Sequence, residues 1–385
     1  MPVRATKRGA LRTPLERDCD VLVCGASFAG LAVARELAGS GAKVLMIDRY
    51  ELGERQTSAC AMPTLWLQAL GLMGAWRQSF DEIVVHTPYR TSRWSLPWSF
   101  STFDYRELCA LLSDQAAGPE LELETATVVG REGNTIHTDR GELSAPLIVD
   151  GLGWRRVLSN AATIQPPEAR LSRGLEVHPQ GSGEEMELWI DAGYIRAGYG
   201  WSFPAGDELR VGIGSFWPTH HVKEPTVRLA QDLELPPDGY QGNWIPHQLR
   251  RAVEDEVFFA GDSAGHCLPL TAEGIRTALY FGLACGRELR AVLDGRRTRG
   301  QALARYGAFS DAHERKFRWL LNVQRLMGQI TPSRAMTACV RSFESRHLSS
   351  WVFKQYLAIA PPSFVGSGPP KKRSGASRLA PLSAS

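Results

Sequence analysis

The run "DVLVCGASFAGLAVARELAGSGAKVLMID", residues 20–48, restricts the fold more than any other part of the chain. It opens with a continuously apolar stretch, residues 20–25, of the kind that forms a strand buried on both faces. Residues 29–39 then place Leu31, Ala34 and Leu37 on one helical face, and residues 43–48 repeat the buried-strand pattern. The result is a strand–helix–strand unit of about 30 residues. Its turn, "GASFAG", has glycine at both ends: Gly25 permits the tight turn and Gly30 lets helix and strand approach closely. The helix start offers free N–H groups and positive partial charge to a pyrophosphate. Ser27 stands where the middle glycine of the full Gly-x-Gly-x-x-Gly pattern would be, so a Cβ crowds the phosphate there. Asp48 ends the second strand, where a carboxylate meets an adenosine ribose hydroxyl. Gly25, Ser27, Phe28, Ala29, Gly30, Asp48 and Arg49 are the first set of expected dinucleotide contacts.

A second segment, "VFFAGDSAGHCLPLTAEGIRTALYFGLACGRELRAVL", reads as a strand, a Gly261-Asp262 step, a loop and a long helix. Ile275, Leu279, Gly282, Leu283, Gly286 and Leu289 form one stripe of that helix. Ala278, Gly282 and Gly286 are small enough for a neighbouring element to lie close. Arg276, Arg287, Glu288 and Arg290 interrupt it as a membrane span. Between the two segments, residues 62–73 and 104–116 predict helices, 81–100 β-structure and 172–217 a β-meander, and the chain is helical from about 271 to 358.

"GDSAG…P…EGIRTA" resembles the second FAD fingerprint of the flavoprotein superfamily that includes para-hydroxybenzoate hydroxylase and the geranylgeranyl reductases. The resemblance implies that Gly261 and Asp262 reach the ribityl chain and that Gly274 and Ile275 present N–H groups to the flavin pyrimidine, whose reduced form is anionic. It also implies a phosphate contact for Arg106 in "YREL" and matches "LIVDGLGWRRVL", with Asp150, Gly151 and Arg155, to the family's Asp-Gly segment. These motifs occur in the family's order. The implied fold is α/β: a Rossmann-type FAD-binding domain from 18–80, 101–165 and 245–298, interleaved with an antiparallel β-sheet substrate domain from 81–100 and 166–244. A helical region follows over 299–360. Residues 1–17 and 361–385 read as disordered tails.

Within that superfamily, "GYGWSFPAGDELRVGIG", residues 198–214, is similar to the Tyr-x-Trp-x-Phe-Pro segment of geranylgeranyl reductases, which reduce isolated C=C bonds of long prenyl chains. Tyr199, Trp201 and Phe203 alternate along a strand and so share a face, and Pro204 ends the ladder. An aromatic wall suits a flexible apolar chain, which needs contact area and no hydrogen bonds; the alternative is that these rings fill the sheet core. Cys60, in "RQTSACAMPT", stands where such reductases often carry a Cys-Gly pair near the flavin, with Ala61 in place of the glycine. Cys60, Tyr199 and Trp201 are the catalytic candidates; Tyr199, Trp201, Phe203 and Pro204 are the expected substrate wall.

The implied activity is FAD-dependent reduction of C=C bonds in an apolar small-molecule substrate. The electron donor is external, either NAD(P)H or a ferredoxin-like protein, since no second glycine-rich loop is present. A monooxygenase remains the enzymatic alternative, a redox-silent prenyl cyclase another, and a non-catalytic escort that keeps the FAD fold is the alternative of another class. A flavin halogenase needs an early lysine, and none lies between Lys43 and Lys223. Both ends of the chain are basic, so with a total charge of +3 the body between them is mildly acidic, which argues against nucleic-acid binding. Seven cysteines without a Cys-x-x-Cys pair point to buried free thiols in a reducing compartment. No metal-ligand spacing stands out. The expected setting is cytoplasmic, with a peripheral membrane contact left open for the tails and the Trp319–Met327 cluster.

Overall fold

The computed structural model describes residues 13–56, 58–160, 171–330 and 334–367. Along the chain run β1 (Val21–Cys24), α1 (Phe28–Leu37), β2 (Val44–Asp48), β3 (Ala61–Pro63), α2 (Thr64–Leu70), β4 (Trp76–Thr87), β5 (Arg90–Phe103) and α3 (Tyr105–Ala116). Next come β6 (Leu121–Thr125), β7 (Val128–Glu132), β8 (Thr135–Thr138), β9 (Gly141–Ser144), β10 (Leu147–Asp150), β11 (Leu171–Val177), β12 (Met186–Trp189), β13 (Gly198–Pro204) and β14 (Leu209–Ser215). The remainder is α4 (Lys223–Asp232), β15 (Gln241–Pro246), β16 (Val253–Glu254), β17 (Val257–Phe259), α5 (Ile275–Leu293), α6 (Arg299–Asp311), α7 (Glu314–Gln329), α8 (Arg334–Ser342) and α9 (Arg346–Leu357).

Two large sheets organise these elements. The first has the order β16-β17-β10-β1-β2-β6 and is parallel except at the β16 edge. Its central strand β1 is wholly buried, as its unbroken apolar sequence requires. Helices α1 and α5 cross with almost no space between them. A Cβ at Gly282 would lie 2.6 Å from the Ala29 carbonyl oxygen, and one at Gly286 2.8 Å from that of Val33. The small-residue stripe of α5 thus has α1 as its neighbour.

The second sheet has the order β15-β11-β14-β13-β12-β4-β5-β3, antiparallel apart from the β12–β4 pair. It reaches beyond residues 81–100 on both sides. β4 starts at Trp76, β5 runs to Phe103, and β3 joins the edge by pairing Ala61 with Thr102. Helix α4, inside the stretch read as sheet, covers the back face: Leu229 and Ala230 pack with Val177, Val211 and Ile213. The front face is left to the cavity described below.

The described residues reach into both terminal stretches. Leu15 is 1% exposed, packs into the main core, and its N–H donates to the Arg140 carbonyl at 2.7 Å. An apolar side chain beside a sheet edge is worth burying even within a basic leader. At the other end residues 362–367 form a 3-10 turn, and the Phe364 ring lies 4.5 Å from that of Tyr280. Residues 1–12 and 368–385 lie outside the described residues. No helix of the described residues is long and apolar enough to cross a membrane, and no cluster of three or more His, Cys, Asp or Glu among them could hold a metal ion.

Candidate functional site

One cavity of about 1920 Å³ lies between the carboxyl ends of the parallel strands and the front face of the antiparallel sheet. That is roughly twice the upper end of the usual 300–1,000 Å³ for a drug-sized ligand, enough for two molecules side by side. Its walls come from elements far apart in sequence.

The parallel-sheet wall holds Ala26, Ser27, Phe28, Ala29, Asp48 and Arg49, with Gly261, Asp262, Gly274 and Ile275 beside them. Gly25 and Gly30 sit behind this wall and shape it. Gly25 has φ +110°, and a Cβ there would lie 2.4 Å from the Gly151 carbonyl oxygen. A Cβ on Gly30 would lie 1.9 Å from the Gly25 oxygen. Asp48 ties the turn down: its carboxylate accepts from the N–H of Ala26 at 2.8 Å and of Tyr50 at 3.0 Å. Its remaining lone pairs are left for a hydroxyl donor. Ser27 turns its hydroxyl toward Tyr105, 3.4 Å away. Arg49 is exposed, its guanidinium 4.7 Å from the Tyr50 ring centre. Arg106 stands apart: it is exposed on α3, its backbone against Gly53, and does not line the cavity.

The early and late motifs touch. Gly261 has φ +66°, and a Cβ on it would meet the Ala29 methyl at 2.9 Å. Neither α1 nor α5 has a side-chain N-cap, so both helix starts keep unfilled N–H groups. Asp262 is the sharper observation. Burial pushes its carboxyl up to about 6 against the opposing pull of Arg250, and no hydrogen-bond donor reaches it among the described residues. A half-buried carboxylate facing a cavity without a donor is a place built for ligand hydroxyls. Two open helix starts, two carboxylates with spare acceptors and glycine-shaped turns together fit the pyrophosphate, ribose and ribityl groups of FAD.

The opposite wall is the front of the antiparallel sheet. Tyr199, Trp201 and Phe203 all face the cavity, joined by Ile83, Trp94 and Phe100. Pro204 ends β13 beside the wall, and its carbonyl accepts from the Thr102 hydroxyl at 2.7 Å. The Trp201 indole lies over a floor of glycines. Cβ atoms at Gly212, Gly214 and Gly174 would stand 2.3, 3.4 and 3.7 Å from its ring. The Tyr199 hydroxyl donates to the Thr271 carbonyl at 2.7 Å, and burial raises its pKa. It braces the loop before α5, where Leu270 and Ala272 hold left-handed φ of 71° and 52°.

Cys60 lines the cavity in a left-handed conformation, φ 52°, with its thiol fully buried and pushed well up by that burial. Its carbonyl accepts from the Phe103 N–H at 3.0 Å and from Arg210 at 3.3 Å. Arg210 escaped the sequence reading. Fully buried, it also donates to the carbonyls of Ala59 and Phe103 and pairs with Glu208 at 2.7 Å. Glu176, His178 and Gln241 were missed too, although "LEVH" places Glu176 and His178 two apart and therefore on one strand face.

The cavity opens between α7, α8 and α9. Trp319 and Trp351 line this mouth while 65% and 62% exposed, with Leu326 beside them. On the same helices Arg315, Arg318, Arg325, Arg346 and Lys354 are exposed, Arg318 lying 3.6 Å from Glu314.

No protein-family profile matches the chain. Among curated proteins, a digeranylgeranylglycerophospholipid reductase of Methanosphaera stadtmanae is 25% identical over 334 residues, covering 77% of this chain and 83% of its own. The menaquinone reductase of Mycobacterium tuberculosis is 24% identical over 88% of this chain and 92% of its own. Among solved structures, a geranylgeranyl bacteriochlorophyll reductase-like protein of Thermoplasma acidophilum superposes with a TM-score of 0.77 at 16% identity, over 90% of this chain and 98% of that one. A probable FAD-dependent monooxygenase from Pseudomonas aeruginosa follows with a TM-score of 0.64 at 17% identity, over 84% and 99%. The chain is a relative of the digeranylgeranylglycerophospholipid and geranylgeranyl reductases, with the fold shared by geranylgeranyl-reductase-like proteins and FAD-dependent monooxygenases.

Proposed function

We propose that this chain is an FAD-dependent oxidoreductase that saturates C=C bonds of an apolar, prenyl-bearing substrate. The observation that carries the reading is the pairing of two unlike walls in one cavity: open helix starts and a donor-free Asp262 on one side, the Tyr199–Trp201–Phe203 stripe on the other. The names of the sequence relatives supply the prenyl substrate class. In this reading the Gly25–Gly30 turn and the start of α1 take the pyrophosphate, Asp48 the adenosine ribose, Asp262 the ribityl hydroxyls, and Gly274 with Ile275 the flavin ring. FAD, reduced by an external donor of the NAD(P)H or ferredoxin-like kind, supplies hydride when bound. Trp201 and Phe203 hold the apolar chain and exclude water. Tyr199 keeps the α5 loop in place, and Cys60 stands at the wall as a weak, buried acid.

The mouth supports a peripheral contact with an anionic membrane surface, from which a lipid substrate would enter a cytoplasmic enzyme. Exposed indoles favour the interface and the surrounding cations favour anionic headgroups. The test is anaerobic turnover. The FAD-loaded chain, reduced with dithionite and given a geranylgeranyl lipid under argon, adds two hydrogens per double bond by mass spectrometry. An oxygenated product formed only with O₂ moves the assignment to a monooxygenase. A chain that stays colourless after FAD soaking, with its melting temperature unchanged, refutes the flavin reading altogether.

A further inference from the structure

Saturating an alkene consumes a hydride and a proton; the Tyr199 hydroxyl is committed to the Thr271 carbonyl, and burial makes both it and the Cys60 thiol poor acids. On the same sheet face, directly under Trp201, lies a buried polar set that the reading above leaves unused. Glu176 on β11 lines the cavity at 2% exposure. One of its oxygens accepts from the Trp201 indole N–H at 3.3 Å, and the other lies 2.9 Å from His178 Nε2. Gln241, opposite Glu176 on β15, sets its amide nitrogen 3.0 Å from His178 Nδ1 and 3.2 Å from Nε2, and with Nε2 also 2.9 Å from Glu176 its N–H is assigned to Nδ1. That assignment leaves the neutral ring's proton on Nε2, pointing at Glu176. Beyond the ring stands Glu208, 3.9 Å from Nδ1, with its carboxylate partly exposed and braced by Arg210. Arg210 in turn holds the carbonyls of Ala59, Cys60 and Phe103.

Burying a carboxylate–imidazole pair is expensive unless every group is partnered. Here every group is, and the set is continuous from a partly exposed carboxylate to the cavity wall. A structural pair gains nothing from having one end at the surface and the other at the site. We propose that Glu208, His178 and Glu176 form a proton relay serving this cavity. It rests on the reductase reading and names the source of that reaction's second hydrogen. Hydride arrives at one alkene carbon, and the other takes the proton held by Glu176. A solvent proton first reaches His178 Nδ1 through Glu208, and the imidazolium so formed passes its Nε2 proton to Glu176, which returns the ring to neutral. The 3.9 Å step needs one bridging water or a rotation of Glu208. Gln241 serves either state of the ring by presenting its amide nitrogen or its oxygen. Atoms and charge balance: alkene, hydride and proton give the saturated carbon pair.

The test separates this relay from packing and from the reductase reading itself. The FAD-loaded chain and its E176Q, H178Q and E208Q variants are reduced with dithionite, mixed anaerobically with a geranylgeranyl lipid, and followed by flavin reoxidation in H₂O and D₂O. E176Q and H178Q should slow reoxidation on the order of 10²-fold, E208Q less, with FAD affinity and the dithionite step unchanged. The solvent isotope effect should grow in E176Q. A readout without turnover uses histidine NMR on the FAD-free chain. His178 is faced by Glu176 from β11, by Glu208 from the β13–β14 hairpin with Arg210 of β14 behind it, and by Gln241 from β15. Removing either carboxylate should change the His178 ring nitrogen shifts, which report the ring's tautomer. Should E176Q misfold, H178Q carries the same test. Variants that reoxidise at the wild-type rate with the same isotope effect, in a wild type that does reduce the lipid, overturn the relay alone. A wild type that reduces no alkene overturns both proposals.

Discussion

Asp262 lets the proposed FAD site be read from the stability of the ligand-free protein. Its carboxyl is pushed up to about 6 from the usual 3.8, first by burial, with Arg250 pulling the other way. The unfolded chain therefore releases this proton near pH 4 and the folded chain near pH 6. Between those values the folded state binds a proton that the unfolded state does not, so stability falls as pH rises and levels off above pH 6. A gap of about two pH units corresponds to about 3 kcal/mol. Asp262→Asn removes that cost while keeping the shape. With an unfolding entropy of about 2.1 cal/mol/K per residue over a chain of this size, 3 kcal/mol is roughly 4 °C in Tm. Melting the FAD-free chain from pH 4 to 8 should show the variant higher by that amount at pH 8 and level with the wild type near pH 4. FAD should reverse the ranking, because an amide is a poorer acceptor for ribityl hydroxyls. Losing hydrogen bonds to a charged group, about 1.5–3 kcal/mol, weakens FAD binding by about 10- to 100-fold. A variant that melts no higher at pH 8, or whose advantage persists at pH 4, would refute the idea that Asp262 is held at a cost in the absence of its ligand.

Other perturbations test the packing that positions the site. Gly282→Ala places a methyl 2.6 Å from the Ala29 carbonyl oxygen and must part α1 from α5, so denaturant titration should show a loss of about 1–3 kcal/mol, with weaker FAD binding. Gly300→Ala, the same change on α6 where nothing lies within 4 Å, should instead gain up to about 1 kcal/mol in the same titration. Tyr199→Phe removes the strut to Thr271 and should speed FAD release in stopped-flow measurements while leaving Tm nearly unchanged. Brief iodoacetamide treatment of the folded chain should modify Cys339, the exposed thiol, and spare Cys60, whose buried thiol is pushed well up, as read by peptide mass mapping.

The sequence disclosed what is local and periodic. Residues 20–48 carry their strand, turn and helix within one short stretch, and their parallel pairing follows from apolar runs buried on both faces. The aromatic stripe was legible because period two puts Tyr199, Trp201 and Phe203 on one side whatever the neighbouring strands are. What stayed hidden depends on register across the sheet. Gly174, Gly212 and Gly214 become a floor for Trp201 only once β11 and β14 are paired, and nothing in "RVGIG" says which ring will lie there. Arg210 looks like a surface arginine until the pairing of β13 with β14 sets it opposite Phe203, facing inward at the Cys60 carbonyl. Leu15 was lost to the charges around it.

The two walls of the cavity are held by different kinds of contact. On the wall proposed to hold FAD, backbone presses on backbone, Gly25 on Gly151 and Gly282 on Ala29, and Gly261 presses on the Ala29 methyl, all closer than a Cβ on the glycine allows. Such contacts have no slack, so the early and late motifs behave as one rigid cradle. The antiparallel sheet meets that cradle through a directional bond, from the Tyr199 hydroxyl to the Thr271 carbonyl. The left-handed Leu270 and Ala272 flank this joint, where backbone strain is sustained by the bond to Tyr199. A change that breaks the Tyr199–Thr271 bond therefore acts directly on the loop that leads into α5.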